Sequence, residues 1–128
     1  MRSGGGSVIL ADVRCVIVDD NPSVIAAARG LLERDGITIA GVATNAADAV
    51  RTVEELRPDV ALVDIDLGGE SGFELAGRLA PTTVILISTH AAGDYVDLVE
   101  ASSAAGFLAK SDISASAVRA ILSAPRGT

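Results

Sequence analysis

The sequence predicts an α/β protein: one open parallel sheet of five strands with five helices covering its two faces. Three observations carry that expectation. First, apolar runs rich in β-branched residues recur down the chain, and those at Val60-Ala61-Leu62-Val63 and Val84-Ile85-Leu86-Ile87 show no polar alternation. That is the pattern of strands buried on both faces. Second, the segments between these runs carry apolar residues at helical spacing. Third, strand and helix alternate five times, which argues for parallel strands joined by right-handed helical crossovers. A chain of 128 residues suffices for one domain with a proper core and is too short for an eight-stranded barrel.

The elements follow in order. Arg14–Val18 is the first strand, and it runs into Asp19-Asp20. Asn21-Pro22 breaks it and opens a helix over 22–34, with Val24, Ile25, Ala28, Leu31 and Leu32 on its apolar stripe. Asp35-Gly36 ends that helix. Ile37–Val42 is the second strand, and Asn45 caps a helix whose inner face is Ala46, Ala49, Val50, Val53 and Leu56. Pro58 stops it. The third strand runs from Val60 into Asp64. After Gly68-Gly69, read as a turn, Ser71 or Gly72 starts a helix bearing Phe73, Leu75, Ala76 and Leu79, and Pro81 ends it. Thr83–Ile87 is the fourth strand, running into Ser88-Thr89-His90. Residues 91–103 make a weaker helix with Val96, Leu98 and Val99. Gly106–Ala109 is a short fifth strand ending at Lys110. Ser111 or Ser114 caps a last helix with Ala117, Val118, Ile121 and Leu122.

Composition excludes several functions. Net charge is −7, which argues against direct nucleic-acid binding, since phosphate contacts need a basic face. No apolar run is long enough to cross a membrane, and residues 1–12 lack the apolar centre of a signal peptide, so a cytoplasmic protein is expected. The single cysteine, Cys15, sits inside an apolar run and reads as a small core residue. Arginine occurs nine times and lysine once, at Lys110. A lysine is a compact point charge where an arginine is a planar fork, so its one position draws notice.

In a parallel sheet all carboxyl ends lie on one edge, where such folds bind ligands. Asp19-Asp20, Asp64, Ser88-Thr89 and Lys110 are therefore neighbours in space. Three carboxylates so close repel one another. Oxygen donors without His or Cys suit a hard cation, Mg²⁺ or Mn²⁺, which usually serves a phosphate. A cation, an ammonium and a hydroxyl around one carboxylate are what a phosphoryl group needs if it is to land on Asp64.

At these residues the chain resembles the receiver domain of bacterial two-component response regulators. The motifs are Val-Asp-Asp-Asn-Pro at 18–22, Pro-Asp-Val-Ala-Leu-Val-Asp at 58–64, Gly72 eight residues past Asp64, and Gly-Phe-Leu-Ala-Lys at 106–110. Residues 37–64 look most like the subfamily that usually carries a helix-turn-helix output domain. The resemblance implies a flavodoxin-like, doubly wound sheet of order 2-1-3-4-5, a receiver spanning 13–124, a leader at 1–12 and a tail at 125–128. It makes Asp64 the phosphoacceptor and Ser88 and Lys110 its partners. Mg²⁺ would be held by Asp20 and Asp64 directly, by Asp19 through water and by Asp66 through its backbone carbonyl. Ser88 and Phe107 take the switch positions, and Asp66 and His90 could tune hydrolysis. The implied partners are a sensor histidine kinase or phosphotransfer protein, and a second copy through the face of the fourth helix, fifth strand and fifth helix. No catalytic activity is implied beyond the domain's own phosphorylation and dephosphorylation. A receiver that stands alone and one separated from an output domain both fit a chain ending shortly after its last helix.

The sequence departs from its relatives at Gly68, where many have Pro, at Ser111, where Pro usually follows the lysine, and in a short connection at Ala80-Pro81-Thr82. Without Pro a cis Lys110–Ser111 bond would cost about 2.5–4 kcal/mol. Two other readings fit part of the pattern. Asp64-Ile65-Asp66 also resembles the nucleophile motif of haloacid-dehalogenase-type phosphatases, in which the second Asp is a general acid. A receiver fold used only for docking, without phosphorylation, is the third.

Overall fold

A computed structural model describes residues 13–89 and 95–124. The expected leader at 1–12, the tail at 125–128 and His90 lie outside the described residues. Five strands pair in parallel: β1 (Arg14–Val18), β2 (Thr38–Ala43), β3 (Val60–Asp64), β4 (Thr83–Ser88) and β5 (Gly106–Ala109). Their order is β2-β1-β3-β4-β5, the doubly wound order that the resemblance implies. The helices are α1 (Pro22–Arg34), α2 (Ala46–Leu56), α3 (Gly72–Arg78), α4 (Val96–Ala101) and α5 (Ala115–Ser123).

Strand alternation divides the core in two. Cys15, Ile17, Val60, Leu62, Ile85 and Ile87 face one side, against Ala28 and Leu32 of α1 and Ala115 and Val118 of α5. Their neighbours Val16, Val18, Ala61, Val63, Val84 and Leu86 face the other, against α2 and α3. β1 and β3 lie between other strands and under helices on both faces, so they contain no exposed position to be polar. Each large apolar side chain so buried contributes roughly 1.5–3 kcal/mol.

Side-chain caps fix the helix starts. Asn21 accepts the Ser23 N–H at 2.9 Å, Asn45 the Asp48 N–H at 2.9 Å, Ser71 the Glu74 N–H at 3.3 Å and Ser114 the Ala117 N–H at 3.1 Å. Each satisfies an amide with no partner inside its own helix. The cap of α5 is thus Ser114 and not Ser111, because Lys110–Asp112 forms a single 3-10 turn first. Arg14, at the start of β1, caps the far end of α2: its guanidinium donates to Leu56 O at 2.8 Å and Arg57 O at 3.2 Å.

Three expectations need correction. Leu31 lies on the helical stripe yet is 40 % exposed, because Ala28 and Leu32 alone of α1 reach full burial. The helix expected over 91–103 is, among the described residues, the six-residue α4. It buries none of its residues and leaves Val96 and Leu98 half exposed. Gly68-Gly69 is more than a turn. Asp66–Leu67 pairs antiparallel with Glu70–Ser71, and the two glycines between them have φ of 58° and 98°, as a two-residue hairpin of this twist requires. The Lys110–Ser111 bond, for which the sequence leaves both forms open, is trans; the only cis peptide among the described residues is Ala80–Pro81.

Candidate functional site

The carboxyl edge of the sheet holds a cavity of about 310 Å³ lined by Asp20, Asn21, Asp64, Asp66, Gly68, Ser88, Thr89, Tyr95 and Lys110, among others. Its lining brings together residues from all four strand ends picked out in the sequence. Asp19, next to Asp20, lies behind the lining, fully buried. Asp20 is exposed, and Asp64 and Ser88 are buried. One carboxylate oxygen from each of Asp19, Asp20 and Asp64 lies within 4.8 Å of the others.

Lys110 enters this cluster from the end of β5. Its Nζ lies 2.8 Å from Asp19 Oδ2 and donates to Asp64 Oδ2 at 3.1 Å. Asp19 thus meets the ammonium as an ion pair through its buried Oδ2. Its other oxygen accepts the Asn21 N–H at 2.9 Å. Asp64 Oδ1 accepts the Asp66 N–H at 3.1 Å, which fixes the carboxylate plane.

The titration of the cluster follows from this geometry. Burial pushes the Asp64 carboxyl above the ordinary aspartate value; the Asp66 N–H pulls it back, Asp19 adds to the rise, and Lys110 opposes it. Burial alone would lower the Lys110 pKa, but its pairing with Asp19 and Asp64 outweighs that and holds it above the ordinary lysine value. Three carboxylates against one ammonium leave two negative charges when all are ionised. That charge and the oxygen-only donors, one from each carboxylate within 4.8 Å of the others, fit a hard divalent cation.

Backbone approach sets the position of Asp64. A Cβ on Gly72 would lie 2.1 Å from the Asp64 carbonyl oxygen and 2.7 Å from Ile65 Cα. The Gly72 N–H also donates to Ile65 O at 2.9 Å. The start of α3 therefore packs directly on the chain that carries Asp64. Across the hairpin, Glu70 reaches back to α2 and accepts the Ala46 N–H at 2.9 Å. Asp66 is exposed, and its carboxylate accepts the Gly69 N–H at 3.4 Å. Phe107 is half-buried on β5, three residues before Lys110, and packs on the α2–α3 side of the core.

Sequence reasoning missed two contributors here. Tyr95 lines the cavity, but its chain position next to a weak helix gave no sign of it. Nothing in the sequence marks Glu70; only the hairpin shows that it caps α2. A larger cavity, about 470 Å³, opens at the opposite sheet edge beside Arg57, Pro58, Arg78 and Pro81. It lies at the amino ends of the strands, away from the acidic cluster, so size does not mark the site here.

A doubly wound 2-1-3-4-5 sheet with an acidic triad and a lysine at its carboxyl edge defines the receiver class of signalling domain. The profile of the response regulator receiver domain matches residues 15–122, and the chain belongs to that family. It is 34% identical over 101 residues to a putative transcriptional regulator of Pseudomonas aeruginosa, covering 76% of this chain and 49% of that protein. It is 31% identical over 119 residues to the DNA-binding transcriptional activator EvgA of Escherichia coli K12, covering 90% and 58%. The chain thus spans about half the length of these curated relatives. Among solved structures, the signal receiver domain of the putative response regulator NarL from Mycobacterium tuberculosis superposes with a TM-score of 0.77 at 29% identity, covering 88% of this chain and 98% of that one. A LuxR-family response regulator from Aurantimonas gives 0.78 at 25% identity, covering 87% and 85%. Among the described residues, no helix is long and apolar enough to cross a membrane.

Proposed function

We propose that Asp64 accepts a phosphoryl group and that the domain switches its α4-β5-α5 face in response. The observation that supports this best is the Lys110 ammonium held between Asp19 and Asp64, at 2.8 and 3.1 Å, beside a cavity that also contains Ser88. One Asp64 oxygen forms the new P–O bond while the bond from phosphorus to the donor breaks and its electron pair leaves with the donor. With a phosphohistidine donor, that pair returns to the ring nitrogen. The Asp66 N–H holds the Asp64 carboxylate in orientation through the transfer. Lys110 moves from the carboxylate to a phosphoryl oxygen, and the Ser88 hydroxyl donates to another, so both sense the same group. Asp19, Asp20 and Asp64 would hold Mg²⁺ or Mn²⁺, with the Asp66 carbonyl a further ligand. When bound, the cation supplies positive charge to the phosphoryl oxygens.

The partners of this reading are a sensor histidine kinase or phosphotransfer protein, and a second copy meeting the α4-β5-α5 face, where Val96 and Leu98 are exposed. The relatives' names add transcriptional regulation as the output. A phosphatase of the haloacid-dehalogenase kind is disfavoured: it needs the Asp66 carboxyl as a general acid, whereas that group is exposed and turned to the Gly69 amide.

The test is incubation with acetyl phosphate and Mg²⁺, read by intact-protein mass spectrometry. One phosphoryl adduct is expected, absent in Asp64→Asn and without EDTA-resistant formation. An adduct undiminished in Asp64→Asn overturns the assignment. Rapid multiple turnover of a small phosphate ester would instead support the phosphatase.

A further inference from the structure

The cavity of about 470 Å³ at the amino ends of the strands shares no lining residue with the one around Asp64. It opens where α2 and α3 end and β3 and β4 begin. Val53, Pro58 and Leu79 give it a buried apolar floor. Arg57, at the end of α2, and Arg78, in the last turn of α3, are exposed and line it from two different helices. Small-molecule sites have volumes of roughly 300–1,000 Å³ and combine an apolar lining with a few polar groups that orient the ligand. This cavity has that size and that make-up.

The two guanidiniums are left for a ligand. Neither has an ion-pair partner among the described residues, whereas Arg29 and Arg51 are paired on their own helices. Arg14 covers Leu56 O and Arg57 O at the end of α2, so the negative pole of that helix is already answered and does not repel an anion. Arg57 lies in the left-handed region, with φ of 47°, where glycine is the ordinary residue; the chain places a cation there instead. Two carboxylates also border the cavity. Asp59 Oδ2 accepts the Arg14 N–H at 2.7 Å, and Glu54 is exposed. A guanidinium is a planar fork that matches the oxygens of a carboxylate or a phosphate. We propose that this cavity binds a small organic anion, its apolar body on Val53, Pro58 and Leu79 and its carboxylate or phosphate head on Arg57 and Arg78. The proposal is independent of the reading of Asp64.

Anilinonaphthalene sulfonate, an aromatic body with an anionic head, serves as the probe, and phenylnaphthylamine, the same body without the head, as its control. The native chain is expected to bind one equivalent of the sulfonate, with NMR amide shifts centred on Val53, Leu79 and Thr83. The neutral amine should bind about tenfold more weakly, the loss expected for a charged hydrogen bond. Arg57→Gly suits the backbone at that position, and Arg78→Gln alters an exposed side chain. Each should weaken the sulfonate about tenfold and leave the amine unchanged. Glu54→Gln should tighten the sulfonate by removing a like charge. Hexanoate and hexyl phosphate should displace it, and the better competitor identifies the head. Equal affinity for the amine, binding that survives both arginine variants, weaker binding in Glu54→Gln, no displacement by either competitor, shifts centred on α4, or no saturable binding at all would each overturn the proposal. Should Arg57→Gly fail to fold, Arg78→Gln and the amine decide alone.

Discussion

Gly72 and Asp64 are in backbone contact: a Cβ on the glycine would stand 2.1 Å from the aspartate carbonyl oxygen. No real Cβ tolerates such a distance, and the obstacle is main chain that cannot turn aside. Gly72→Ala must therefore push α3 away from the end of β3, and Asp64 with it. Overpacking of this kind costs about 1–3 kcal/mol. The expected outcome is a lower urea midpoint together with a slower phosphorylation by acetyl phosphate, even after correcting for the unfolded fraction. Normal phosphorylation kinetics in the folded variant would show that the contact does not position Asp64.

Gly68→Pro tests the hairpin. Many receivers carry Pro at this point, but here Gly68 has φ of 58°, and proline is locked near −65°. A Cβ there would also come within 3.2 Å of Asp20 Oδ2. The substitution is expected to destabilise by about 1–3 kcal/mol and to raise amide exchange across 66–71. Exchange should rise at the start of α2 as well, because Glu70 caps it. A stable variant with protected amides would mean the loop has a second, proline-compatible form.

Lys110→Met removes the cation between Asp19 and Asp64. Breaking a largely buried ion pair leaves charge uncompensated, with a cost on the order of 3 kcal/mol. Without added metal the variant should melt below the wild type. The same loss removes a positive charge from the carboxylate cluster, so Mg²⁺ should bind more tightly and raise Tm by more than it does in the wild type. Calorimetric titration with Mg²⁺ checks this; weaker binding in Lys110→Met would contradict it.

Cys15 gives a pH prediction remote from the site. Burial pushes its thiol from 9.0 to about 12, against a small opposing effect of the Leu62 backbone. Between those values the unfolded chain releases a proton that the folded chain keeps. Stability from this group is therefore complete below pH 9 and falls by about 1.4 kcal/mol per pH unit above it. Cys15→Ala should be less stable at neutral pH, from the cavity it leaves, yet lose less stability than the wild type between pH 7.5 and 10. Urea unfolding at the two pH values measures both. The native thiol should also resist alkylation at pH 8 until the protein unfolds.

Much of this protein is legible in the sequence, and for local reasons. The unbroken apolar runs at Val60–Val63 and Val84–Ile87 mark buried parallel strands because a central strand has no solvent-facing position. Asn21, Asn45, Ser71 and Ser114 mark helix starts because a short polar side chain there completes the first turn. Parallel pairing then sends Asp19, Asp64, Ser88 and Lys110 to one edge, which is why the site could be assembled from strand ends alone. What the tertiary structure decided depends on contacts between segments far apart in the chain. Leu31 and Leu98 have the spacing of core residues but face outward, since burial depends on what packs above a helix and not on its own period. Glu70 caps a helix 24 residues before it, and no local signal joins them. Gly72 must be glycine because a backbone folded against it leaves no room, and Tyr95 meets both the cavity and Phe107 because three separate elements converge there. Sequence pattern determines which face of an element can be buried; only the packed chain determines which atoms come within reach of Asp64.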